Sequence, residues 1–253
     1  MKYLFLLTIL LSSFLARSQD NNDLIVEYKL YCDTDLPLII PTTLVVRNNV
    51  GIYQERSSKT ERWAEKPTEI KIDPEKLKSN YEPYLKVDRN KKELLYFDAI
   101  GNNIFIVKDN FNNLKWDITK ETKQVAGYTC TKAITKFRGR EWIAWFTPEI
   151  PAPFGPWKLH GLPGLILEAN DSTNRYSFVA AKIENSKSDI FDKDFATLMN
   201  VKSKVPVPVR QFMEDREEAT NNSNNALSGN TNIKLEVKKV PRNGEELIYE
   251  WEQ

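Results

Sequence analysis

His160 is the single histidine, and Cys32 and Cys130 are the only cysteines. The side chains best suited to exchange protons, bind metals or attack electrophiles are therefore few. An ordinary zinc or copper centre draws on several imidazoles or thiolates held close together, and this set is too sparse to supply one. His160 is able to serve as base for one serine or cysteine nucleophile, Cys130 among them. No G-x-S-x-G elbow or S-x-x-K pairing accompanies it, however. Between Leu159 and Gly161 the ring reads first as a packed, hydrogen-bonded aromatic whose ionisation is open to use as a switch. The nine glycines never form G-x-G-x-x-G or G-x-x-x-x-G-K, so no phosphate loop or dinucleotide fingerprint is present. Paired carboxylates for glycoside hydrolysis are best sought near the centre of the chain, at Glu141, Glu149 and Glu168. Their simpler reading is a solvated face or ion pairs with Arg138 or Arg140. The sequence thus assigns no catalytic, metal or cofactor residue. Trp157 and His160 are the two candidates for contact with a ligand or partner.

Both lie in Glu141–Asn170, the stretch that must position them. Glu141 to Thr147 is aromatic and branched, which suits a pleated strand. Trp142, Ala144 and Phe146 occupy one face and Ile143 and Trp145 the other, so neither face is freely solvated. Pro148 ends the ladder because it has no N–H to donate. Pro151, Pro153 and Pro156 stiffen the loop, and Ile150, Phe154, Trp157 and Leu159 give it apolar anchors. Leu162-Pro163-Gly164-Leu165 predicts a type II turn, with Pro163 presetting φ and Gly164 taking a positive one. Gly161, Pro163 and Gly164 are therefore read as structural turn residues.

The run Gly161-Leu162-Pro163-Gly164-Leu165-Ile166 resembles the signature of the GLPGLI family of exported Bacteroidetes proteins. Gly127-Tyr128-Thr129-Cys130-Thr131-Lys132-Ala133, Trp145-Phe146-Thr147, Ile150-Pro151 and Gly155-Pro156 fit the same pattern. The resemblance spans roughly Trp116 to Asn170. It implies an exported β-rich domain with no assigned activity, similar to a bowl-like sheet module ahead of some secreted glycan-processing enzymes. It also implies an envelope setting, with a TonB-dependent outer-membrane receptor as a possible partner. It carries over no catalytic residues.

The start of the chain agrees with export. Lys2, the apolar run Tyr3–Leu15 and Ala16-Arg17-Ser18 read as a secretory signal over residues 1–18, leaving one β-rich domain over 19–253. No cysteine stands at the cleavage point, so a lipoprotein anchor lacks its attachment residue, and no segment of the mature chain is apolar enough to span a membrane. Without Lys2 and Arg17 the acidic side chains outnumber the basic by one. That balance offers no drive for nucleic-acid binding or for a polybasic membrane patch. In an exported protein Cys32 and Cys130 form either a disulfide, the favoured reading, or two separate buried thiols.

Leu24–Tyr31 reads as a strand, and Asn48-Asn49 and Gly101-Asn102 as hairpin turns. Ser57–Tyr84 reads as a solvated excursion. Leu114–Ile118 reads as a short strand and Gln124–Phe137 as one bent strand or two, with Gly127 a possible bulge. Tyr176–Ile183 follows as another strand. Short helices are expected around Phe191–Met199 and from Val209, with Thr220–Asn232 as loop or frayed helix end. Ile233–Val240 and Leu247–Trp251 are expected to return to the sheet. The predicted fold class is mainly β, a curved antiparallel sheet or half-barrel (bowl-like) with one or two C-terminal helices. The functional reading is a non-catalytic binding module of the envelope. Its alternatives are a glycan- or peptide-acting hydrolase and a purely structural component.

Overall fold

The structure, a computed structural model, describes residues 22–63, 81–230 and 242–253, the side chains of 223–230 excepted. The signal segment, residues 64–80 of the excursion and the strand expected at Ile233–Val240 lie outside these residues. Thirteen strands form one sheet: β1 (Asp23–Cys32), β2 (Leu38–Arg47), β3 (Val50–Glu55), β4 (Glu61–Arg62), β5 (Tyr84–Asp88), β6 (Glu93–Ile100), β7 (Asn103–Asp109), β8 (Asp117–Val125), β9 (Tyr128–Phe137), β10 (Arg140–Thr147), β11 (Leu165–Asp171), β12 (Tyr176–Ser186) and β13 (Val207–Pro208). Their spatial order is β13-β7-β6-β5-β3-β2-β1-β12-β11-β10-β9-β8, with β4 beside β2. All pairs are antiparallel except β13 with β7. One α-helix, α1 (Val209–Asn230), follows.

Turn chemistry explains the hairpins. Asn48 and Asn49 hold φ of 50° and 63°, the left-handed pair that joins β2 to β3 in a two-residue turn. Ala126-Gly127 and Arg138-Gly139 do the same between β8, β9 and β10, with φ of 49°, 85°, 45° and 83°. Gly127 therefore closes a hairpin and is not a bulge, and the bent strand expected over Gln124–Phe137 is the end of β8 followed by β9.

Long-range ion pairs show how far the sheet curves. β7 and β10 stand eight strand positions apart, ~38 Å in a flat sheet. Arg138, in the turn before β10, nevertheless reaches Asp109 at the end of β7 at 2.5 and 2.9 Å. The sheet is a bowl. Its interior is filled from both limbs, by Trp142, Phe146 and Phe178 on one side and by Tyr53, Leu85 and Leu94 on the other.

Trp142, Ala144 and Phe146 are buried and Ile143 and Trp145 are half-buried, so both faces of β10 are covered as the pattern required. Lys123 lies over the Trp145 ring at 4.4 Å and holds Glu168 at 2.7 Å. Phe154, Leu159 and Leu162 plug the proline-rich loop into the core.

Several expectations are corrected. Gly164 does not have a positive φ, and Leu165 N–H donates to Ile150 at 3.0 Å, so no type II turn forms. The glycine is needed because a Cβ there would lie 2.1 Å from the Thr147 carbonyl oxygen. Gly161 is the residue with positive φ, at 97°. Phe191–Met199 forms only two short 3-10 turns, Ile190–Asp192 and Phe195–Thr197, with Phe195 stacked on Phe97. Helix α1 runs through the segment expected to fray, up to Asn230. Leu247–Trp251 is irregular and ends in a 3-10 turn, Glu250–Glu252, without sheet pairing.

Cys32 and Cys130 are free and buried. They sit on β1 and β9, which are not neighbours in the sheet, and no bond joins them. Burial pushes their thiols up to about 12 and about 11, so both are inert in the fold. Alkylation of the native protein should label neither thiol, and alkylation in denaturant without reductant should label both. A mass increase corresponding to fewer than two labels in denaturant would contradict the free-thiol structure.

Candidate functional site

Trp157 adopts φ of 54°, an uncommon backbone for a bulky residue. The strain is held by packing: its ring lies 5.7 Å from Phe137 and 5.4 Å from Trp142, and the following Lys158 is buried. Lys158 donates to Asp109 and to Glu246, each at 2.7 Å. Arg138 adds contacts to Asp109, Glu246 and Glu250. This network ties the proline-rich loop, β7 and the C-terminal segment together at the lip of the bowl. Arg140 reinforces it, donating to the Gly244 carbonyl at 2.7 Å and to Asp171 at 2.9 Å.

Trp157 and Lys158 line a cavity of about 500 Å3. Strand β3 contributes Tyr53 and Glu55, and β6 contributes Tyr96 and Asp98. Tyr84 of β5 and Arg216 of α1 stand at its margin, and Asn243–Glu246 with Tyr249 close the remaining wall. The lining is aromatic and acidic. Burial, reinforced by the nearby Glu245 charge, raises the Glu55 carboxyl to about 8. Glu245 is itself raised, chiefly by burial and secondarily by Glu246. Asp98 is raised by burial, with the Ala99 N–H and Arg216 opposing the shift. Tyr53 is 2% exposed, and its hydroxyl lies beside the buried Thr42 hydroxyl.

The cations at this cavity are already engaged. Lys158 holds Asp109 and Glu246, Arg216 holds Asp98 at 3.1 Å, and Arg242 holds Glu252 at 2.6 Å. Among the described residues no cation pairs with Glu55 or Glu245. A neutral carboxylic acid beside a second carboxyl can donate a proton or accept and donate hydrogen bonds, and it can receive a positive charge.

Folding leaves Glu55 protonated near neutral pH although the unfolded carboxyl ionises near 4.5. Its contribution to stability is therefore complete below about pH 4.5 and is lost as pH rises through about 8. Glu55→Gln should raise the melting temperature at pH 8 by several degrees, on the order of 2 kcal/mol, and leave it nearly unchanged at pH 4. Thermal scans at the two pH values test this, and an equal effect at both would refute the protonated carboxyl.

Of the two contact candidates, the structure brings only Trp157 to the cavity. His160 is 3% exposed, stacks on Phe111 at 4.9 Å and lies 3.3 Å from the Arg89 guanidinium through Nδ1. Trp116 Nε1 donates to its carbonyl at 2.9 Å. Burial and Arg89 lower the imidazole to about 4, so it stays neutral at ordinary pH, and the ring is packed and hydrogen-bonded as its first reading has it. Among the described residues no hydrogen bond joins it to Cys130. Glu149 accepts the Thr129 N–H, Glu168 pairs with Lys123, and Glu141 is exposed. None of these three lines the cavity. Nor do they neutralise Arg138 and Arg140, whose partners are Asp109, Glu246, Glu250 and Asp171. Among the described residues no group of three or more His, Cys, Asp or Glu side chains could hold a metal ion.

The carboxylates that do face the cavity carry no motif. A usable signal was strand phase: Glu55 follows Gly51 and Tyr53 at two-residue steps, and Asp98 follows Leu94 and Tyr96, so both acids share the phase of inward-facing residues.

Residues 64–205, more than half of the chain, match the family model described as N-glycanase peptide, N-terminal domain. Two solved structures of PNGF-II, in the P21 and C2 space groups, are similar to this fold, with TM-scores of 0.55 and 0.54 at 17% and 18% identity. The similarity covers 78% of this chain in both cases, and 34% and 33% of the PNGF-II chains. This chain thus spans about a third of the length of those structures. No curated protein matches.

Proposed function

The chain belongs to the family of N-glycanase peptide N-terminal domains, and from that premise we propose that it is a glycan-directed protein whose sugar site is the cavity between β3, β6, the proline-rich loop and the C-terminal segment. The observation that carries this reading is the lining. Aromatic faces at Tyr84, Tyr96 and Trp157 line the cavity with Glu55 and Glu245, which pair with no cation among the described residues, a combination suited to a sugar's C–H faces and hydroxyls. Titration with a panel of soluble glycans, followed by tryptophan fluorescence, tests it. Binding should fall about tenfold or more in Tyr84→Ala and Glu245→Gln. A panel that leaves the fluorescence unchanged, with no glycan retained on the immobilised protein, would refute the assignment.

A second reading, hydrolysis in the same cavity, is favoured by one observation. Glu55 stays protonated up to about pH 8, as a general acid requires, and Glu245 lines the same cavity as a second carboxyl. Under this reading Glu55→Gln binds glycopeptide yet releases no sugar. Intact glycopeptide after prolonged incubation with the unaltered protein would leave binding alone.

The proposal keeps the protein at the cell envelope, exported by residues 1–18, with a TonB-dependent receptor as its partner and the Gly161–Ile166 run as support for GLPGLI membership. Proximity labelling in the native host tests the partner. N-terminal sequencing of the exported chain, expected to begin at Gln19, tests the signal.

A further inference from the structure

We propose that the ligand of this cavity carries a positive charge, and that a sugar with a free amine, as in glucosamine, seats its ammonium between Glu55 and Glu245. The inference rests on the glycan reading above and names the sugar class within it.

Three features of the site converge. First, Lys158, Arg216 and Arg242 are each held by a carboxylate, whereas no salt bridge joins a cation to Glu55 or Glu245 among the described residues. Two acids thus line one cavity without an ion-pair partner among the described residues, an arrangement that costs stability unless a proton or a ligand compensates it. Second, Tyr53, buried on the same strand two residues before Glu55, lines the cavity with its hydroxyl held beside that of Thr42. The two carboxylates supply acceptors for the three N–H donors of an ammonium. Third, the aromatic walls at Trp157 and Tyr96 suit the ring of an attached sugar.

The groups around the pair do not undo this balance. From β1, Cys32 is held as a neutral thiol, and from β3 burial keeps Tyr53 protonated. Glu246 adds further negative charge to the C-terminal wall. Lys158 and Arg140 also act on Glu245, Lys158 while holding Asp109 and Glu246, and Arg140 while holding Asp171 and the Gly244 carbonyl. The second cavity of the molecule provides a contrast. There Arg47 donates to both carboxylate oxygens of Asp23, at 2.5 and 2.8 Å, and the deep charge is already neutralised.

The proton balance follows directly. In the free protein Glu55 carries the proton. When an ammonium enters, the O–H bond of Glu55 breaks, its proton passes to solvent, and the carboxylate accepts N–H donors from the ligand. No bond of the sugar is broken.

Calorimetry of the protein at about pH 6.5, in two buffers of different ionisation enthalpy, reads both affinity and proton release. The probes are the trisaccharides of glucosamine and of N-acetylglucosamine, with putrescine as an amine without a sugar. The free-amine trisaccharide should bind about tenfold or more tighter than its acetylated counterpart and release roughly one proton per ligand. Glu55→Gln should abolish the release and Glu245→Gln should remove most of the preference. Equal or tighter binding of the acetylated sugar, or binding without proton release, overturns the cation site and leaves the glycan reading standing. Putrescine bound in preference to both sugars overturns the amino-sugar assignment together with the glycan reading. Failure of all three probes to bind overturns the inference.

Discussion

Gly164→Ala is expected to destabilise the protein by more than ~3 kcal/mol, with a fall of roughly 10 °C in melting temperature or failure to accumulate as folded protein. The added methyl would stand 2.1 Å from the Thr147 carbonyl oxygen and 2.6 Å from its carbon. Those atoms belong to the end of β10, which pairs with β11 through Thr147 and Leu165, so neither side can yield without opening the ladder. Gly161→Ala is the internal comparison. Gly161 has φ of 97°, but an added Cβ would find nothing nearer than 3.9 Å. That replacement costs only the backbone strain, about 1 kcal/mol. If the two variants melt together, the close approach at Gly164 is not what the motif preserves.

Asp109→Asn should cost about 3–5 kcal/mol, because it leaves buried cations without their counter-charge. Asp109 accepts from Arg138 at 2.5 and 2.9 Å and from Lys158 at 2.7 Å, and the side chains of Asp109 and Arg138 are each only 1% exposed. Burial pushes the Asp109 carboxyl up, but Lys158 and Arg138 outweigh it and hold the group below the usual carboxylate range. The sign for pH follows. A depressed carboxyl contributes stability above its unfolded value, near 3.8, and loses it as pH falls through the lower folded value. The gap between the unaltered protein and Asp109→Asn should thus be full at pH 7 and close only under strongly acidic conditions. Chemical denaturation at pH 7 and at about pH 3 measures it. Glu246→Gln, at a 13% exposed side chain, should cost less, since water reaches that end of the network.

These two sites show what was legible and what was not. The apolar alternation of β10, the asparagine pair after β2 and the proline-stiffened loop with its buried anchors all follow from residues adjacent in the chain. Chain order also gave the mainly β class. The motif at Gly161–Ile166 was legible as a structural feature, but its mechanism was misassigned. Whether Gly164 needs a positive φ or a bare Cα depends on Thr147, which local turn statistics do not contain. The same holds for His160: a lone histidine suggests chemistry, and only its burial beside Arg89 and Phe111 shows that it stays neutral.

The sequence by itself determined the strands, most of the hairpin turns, the anchors of the loop and the scarcity of nucleophiles and metal ligands, because each depends on side-chain type and short-range spacing. Tertiary structure alone decided the cavity. Glu55 and Glu245 are far apart in the chain, and they line one cavity because the sheet curves until the turn before β10 grips the end of β7. That curvature is set by the packing of the bowl's interior and locked by Arg138, Asp109 and Lys158. It is also what leaves two acids together without a cation, and no local pattern of residues records it.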